Sequence, residues 1–85
     1  MAEKKVGEVV KFFAKPGVAA IRLTEGSIQV GDRIKIKGHT TDFDDQVLSI
    51  QVDNQPVERA EAGALIGIKV KDRVRENDQV FTITD

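Results

Sequence analysis

The stretch Arg33-Ile34-Lys35-Ile36-Lys37 alternates charged and apolar residues without a break, and Gly38 stops it. A period of two places both isoleucines on one side of a strand and the three cations on the other. No segment of the chain sustains the 3.6-residue period of an amphipathic helix. Upstream of this stretch, Glu25-Gly26 and Gly31-Asp32 punctuate the sequence as turns. Val18 through Leu23 reads as a strand, and Pro16-Gly17 marks the turn before it. Val6 through Ala14 forms an earlier strand, rich in β-branched and aromatic residues.

Downstream, a polar loop follows Gly38, and Gln46 to Val52 alternates again. Leu48, Ile50 and Val52 are expected on one face, with Val47 alone on the other. Asp53-Asn54-Gln55-Pro56 reads as a turn, and Val57 to Gly63 as one helical turn or a loop. Ala64 to Val70 and Val80 to Thr84 supply the last two strands. Short strands at close spacing, separated by glycine turns, point to an all-β sandwich or barrel. Closure is favoured because an open sheet of this size exposes edges to pairing. The expectation is a single domain over residues 1–85, folded as a small closed six-stranded antiparallel barrel of Greek-key-like topology.

Composition narrows the function. The chain has 85 residues, no cysteine, one histidine and a net charge of −1. Thiolate zinc sites, disulfide scaffolds and cysteine nucleophiles are excluded. Charges interrupt the apolar residues of the first eleven positions, so no signal-peptide core is expected, and a cytoplasmic, non-membrane protein is the default. Near-neutral charge argues against indiscriminate nucleic-acid binding through the whole surface.

The order of the glycine and apolar positions resembles the second domain of the translation GTPases, typified by elongation factor Tu. Gly7-Glu8-Val9 matches that family's opening Gly-x-Val. Glu25-Gly26-Ser27-Ile28-Gln29-Val30-Gly31-Asp32 matches its Gly-x-Ile/Leu-x-x-Gly-Asp segment. Val47-Leu48-Ser49-Ile50 matches a Val-x-Ser-Ile-type core, and Ala60-Glu61-Ala62-Gly63 an Ala-x-x-Gly turn before an apolar strand. At the closing Gly-Asp-x-Val, Asn77 stands in place of glycine ahead of Asp78, Gln79 and Val80. Gly26, Gly31 and Gly63 fall where such a barrel needs tight turns or positive φ, and Asn77 tolerates that conformation second best. The resemblance implies a translation-factor-like barrel that contacts ribosomal RNA, tRNA or a neighbouring domain. Similar barrels occur at the C-terminus of collagenase-like peptidases and related tRNA-modifying proteins. No Gly-x-x-x-x-Gly-Lys-Ser/Thr loop is present, so GTP binding by this chain is not expected.

Candidate binding residues follow from strand parity. Lys35 and Lys37 point away from the isoleucines beside them. Lys69, Lys71, Arg73 and Arg75 continue the outward parity after Ile66, Ile68 and Val70. If the two strands lie close together, these six cations form a stripe for RNA phosphates or for a partner. Read otherwise, they are solvated charges that keep a small barrel soluble, and the near-neutral net charge favours this. Aromatic residues are 5% of the chain, which disfavours single-strand binding by base stacking. Phe12 and Phe13 face opposite ways, and both are expected to pack, because so small a core has few large residues to spare. Asp42, Asp44 and Asp45 lack the glycine and distal glutamate of a calcium loop, and read as solvated loop residues. His39 reads as a plain loop residue, and no metal, cofactor or catalytic residue is expected. The sequence thus supports a non-enzymatic binding module that contacts RNA or a translation-related partner. The alternative is a protein-interaction accessory domain of the peptidase-associated kind.

Overall fold

The computed structural model describes residues 2–84. Ten strands run in chain order: β1 (Ala2–Phe13), β2 (Val18–Leu23), β3 (Ile28–Gln29), β4 (Arg33–Lys37), β5 (Asp42–Gln46), β6 (Ile50–Val52), β7 (Gln55–Val57), β8 (Arg59–Ala60), β9 (Leu65–Lys69) and β10 (Gln79–Thr84). The described residues contain no helix. Eight strands form one antiparallel sheet in the order β5-β4-β10-β1-β2-β9-β6-β7, and β3 pairs with β8.

β1 is the pivot of this sheet. Its register shifts between Lys5 and Gly7 against β10, and between Val9 and Lys11 against β2. Such bulges bend a strand and strengthen its twist, which lets one strand serve two walls of a barrel. No ladder joins the end strands β5 and β7 among the described residues. Instead the two residues that follow β3 reach both sides of that seam. The Gly31 N–H donates to the Val47 carbonyl at 2.8 Å, and the Val30 N–H to the Glu58 carbonyl at 2.9 Å.

Branched aliphatic side chains fill the interior. Ile21, Ile34, Ile36, Val47, Ile50 and Val80 are fully buried, with Val6, Val9, Leu23, Ile28, Ile66, Ile68 and Val74 beside them. Burying each such side chain contributes roughly 1.5–3 kcal/mol before conformational entropy is counted. Gly31 and Gly63 take φ of +97°, and Asn77 takes +73°, as their turn positions demand. Gly26 has a different reason to be glycine: an added Cβ would lie 2.9 Å from Val6 Cγ1.

Four sequence expectations are corrected. Six strands were expected and the described residues form ten, because polar or very short pairings carry no apolar alternation. The polar stretch after Gly38 is largely a strand, β5, which pairs with β4 along its whole length. The run Gln46 to Val52 is not one strand. Val47 leaves β5 and plugs the core, held by its N–H donating to the Asp32 carbonyl at 2.9 Å. Leu48 is then thrown outward, 71% exposed, on the opposite side from buried Ile50. Where a four-residue turn and then a helical turn or a loop were expected, the tight turn is Asp53-Asn54 alone, at φ of 53° and 64°, β7 and β8 follow it, and residues 61–64 remain a loop.

Candidate docking surface

The structure separates the six cations singled out from strand parity. Lys35 and Lys37 lie on β4, Lys69 on β9, and β10, β1 and β2 intervene. Lys35 is engaged by two carboxylates, Glu3 at 3.7 Å and Asp42 at 3.8 Å. Asp42 stands opposite Lys37 and Asp44 opposite Lys35, so β5 lays an acidic row along the basic one. Lys71, Arg73 and Arg75 lie beyond β9 in an exposed irregular segment. The Lys71 main-chain N–H donates to Asp45 Oδ2 at 2.9 Å, which brings this segment to the end of β5. Arg73 and Arg75 share a furrow of about 510 Å³ with Lys11, Phe12, Ala14, Val74 and Glu76. Asp78, buried behind them, accepts the Arg75 N–H at 2.9 Å and so holds the turn that presents both arginines. His39 is exposed, and the described residues contain no group of three or more His, Cys, Asp or Glu able to hold a metal ion.

A different surface emerges on the outer face of β1, β2 and β9. In register, Lys11 pairs with Ala20 and Phe13 with Val18, while Ala20 pairs with Gly67 and Val18 with Lys69. Directly opposed residues of an antiparallel pair project to the same side. Ala19, Ile21, Ile66 and Ile68 point into the core, so Val18, Ala20, Leu65 and Gly67 point out. Ala20 and Gly67 leave a low floor, and Phe13, Pro16, Val18 and Leu65 stand around it. The result is an open trough of about 530 Å³, completed by Gln51 and the Asp53-Asn54 turn. Phe13 is 44% exposed and Leu65 55%. The expectation that both phenylalanines pack is therefore corrected: Phe12 packs against the core, whereas Phe13 lies outside under Lys11, whose Nζ sits 5.1 Å from the ring centroid.

Sequence reasoning missed this trough, although a signal existed. Val18-Ala19-Ala20-Ile21 and Leu65-Ile66-Gly67-Ile68 are apolar or small at every position. On a barrel strand whose outer face meets water, half of those positions should be polar. No helix among the described residues is long and apolar enough to cross a membrane.

The fold is a small all-β barrel with no helix among the described residues. Residues 17–81 match the family Elongation factor Tu domain 2, and the chain belongs to that family. It is 39% identical over 77 residues to a collagenase of Porphyromonas gingivalis, covering 89% of this chain and 21% of that protein. It is 37% identical over 82 residues to an uncharacterized protease of Methanocaldococcus jannaschii, covering 95% of this chain and 20% of the relative. The chain thus spans about a fifth of the length of these relatives. Among solved structures, it superposes on the C-terminal domain of a protein assigned as a U32 peptidase in Geobacillus thermoleovorans. The TM-score is 0.88 at 15% identity, over 95% of this chain and 93% of that one, a likeness of fold.

Proposed function

We propose that this barrel is a non-catalytic accessory domain that docks on the catalytic portion of a peptidase-like protein. One observation carries this reading: the outer face of β1, β2 and β9 holds an open, largely apolar trough with Phe13 and Leu65 exposed at its walls. Exposed apolar patches with polar rims mark interaction surfaces. The relatives support the choice of partner. In the collagenase and the protease, about four-fifths of the length lies outside the part this chain matches.

The test is a titration of isotope-labelled barrel with the peptidase-like portion of the P. gingivalis collagenase, lacking its own matching segment. Binding with amide shifts at Phe13, Val18, Ala20, Leu65 and Gly67 is expected. No saturable binding at millimolar concentration would refute the reading.

Contact with RNA is the second reading, favoured by the furrow that gathers Lys11, Arg73 and Arg75. Its mark is affinity for tRNA that falls steeply with salt. A flat salt response, or no binding at low salt, removes it.

A further inference from the structure

The trough has a charge pattern as well as an apolar floor. Lys11, in register with Ala20, and Lys69, in register with Val18, stand at its rim. Arg22 lies opposite Leu65 and adds a third cation, offset in part by Glu8 across β1. Among the described residues, Lys11, Arg22 and Lys69 form no ion pair, whereas Lys5, Lys35 and Arg59 each have a carboxylate within 4.0 Å. Of the residues lining the trough, Asp53 alone is acidic. The contrast with β4 is informative. There the outward lysines face the acidic row of β5 within this chain. Around the trough, Glu8 faces Arg22 and Asp53 lies in the lining, but among the described residues neither forms an ion pair with Lys11 or Lys69.

Resting on the docking reading above, we infer that the trough receives a partner segment in which one or two large apolar side chains are flanked by Asp or Glu. The apolar side chain covers Ala20 and Gly67 between Phe13 and Leu65. Its acidic neighbours meet Lys11 and Lys69. Charged rims of this type set orientation and partner choice, while the apolar centre supplies most of the affinity. A basic-apolar segment is rejected by like charge. A purely acidic one has nothing to bury.

Three twelve-residue peptides test this against isotope-labelled barrel at low salt: Leu-Phe flanked by Glu and Asp, Leu-Phe flanked by Lys, and Ser-Ser flanked by Glu and Asp. The first is expected to bind at least about tenfold tighter than either other, with shifts confined to the trough. Leu65→Glu should remove that binding. The double variant Lys11→Glu/Lys69→Glu should prefer the basic-apolar peptide. All three positions are exposed, so the variants should keep the wild-type amide dispersion. Equal affinity for the three peptides, shifts elsewhere on the barrel, or an unchanged preference in the double variant would overturn the inference. Displacement of the acidic-apolar peptide by poly-uridine would overturn it too.

The two readings fail separately. If the peptidase-like portion binds at the trough but no acidic preference exists, docking stands and the segment chemistry is wrong. If the acidic-apolar peptide binds and the peptidase-like portion does not, the chemistry stands and the docking partner is wrong.

Discussion

Replacing Gly7 by alanine should destabilise the barrel more than its single methyl suggests. Gly7 sits where three strands meet, paired with Leu23 on β2 and Val80 on β10, just past the β1 bulge. A Cβ there would overlap the carbonyl oxygen of Arg22 and lie 3.1 Å from both the Arg22 carbonyl carbon and Leu23 Cα. All of these are backbone atoms in a central strand, so no side chain can swing away. Forcing extra volume into a tight site costs about 1–3 kcal/mol, occasionally more. Each ladder hydrogen bond distorted by the shift adds about 0.5–1.5 kcal/mol. Alanine recovers about 0.4–1 kcal/mol by restricting the unfolded chain. With two such bonds distorted, one toward each neighbouring strand, the net expectation is about 3 kcal/mol, out of a total near 4–13 kcal/mol for a domain of this length.

Gly31→Ala is the control, because its φ is +97° and nothing lies within 4 Å of an added Cβ. Its cost is conformational only, about 1–2 kcal/mol. The chain has no Trp or Tyr, so urea unfolding is best followed by far-ultraviolet circular dichroism. With a slope near 1 kcal/mol per molar urea, Gly7→Ala should lower the midpoint by about 3 M. A loss equal to or smaller than that of Gly31→Ala would refute the argument that backbone crowding sets this position.

Ile21→Ala, at a fully buried position, should cost about 2–5 kcal/mol in urea unfolding, while Leu48→Ala, at 71% exposure, should stay within about 0.5 kcal/mol. Asn77→Gly should hold or raise the thermal midpoint, and Asn77→Val should lower it, because φ is +73° there. Lys35→Ala should change stability by less than about 1 kcal/mol despite its two carboxylate partners, because both carboxylates are exposed and stand 3.7 and 3.8 Å away, and surface pairs of this kind are worth little.

How far the sequence could be read depended on where apolar alternation coincided with one buried face. Arg33 to Lys37 and Val18 to Leu23 were legible for that reason, and the structure places both as strands over those residues. The positive φ of Gly31, Gly63 and Asn77 was legible because the chemistry of the left-handed region is restrictive. β5 was not, since Asp42-Phe43-Asp44-Asp45-Gln46 offers one apolar residue and draws its stability from pairing with β4. Val47 and Leu48 misled because a chain leaving a strand changes which side its residues face. The stripe of six cations required β4 and β9 to be neighbours, which depends on strand order, and strand order is a tertiary property. The trough was half visible. Both of its apolar runs could be read, but only the pairing of β2 with β9 turns Ala20 and Gly67 into a floor.

Which outer face of the barrel binds is tested directly by calorimetry with the collagenase's peptidase-like portion. Phe13→Glu/Leu65→Glu should weaken association at least about tenfold, while Lys35→Glu/Lys37→Glu on β4 should leave it within about twofold. The reverse pattern, with the β4 variant losing affinity and the trough variant keeping it, would contradict the account.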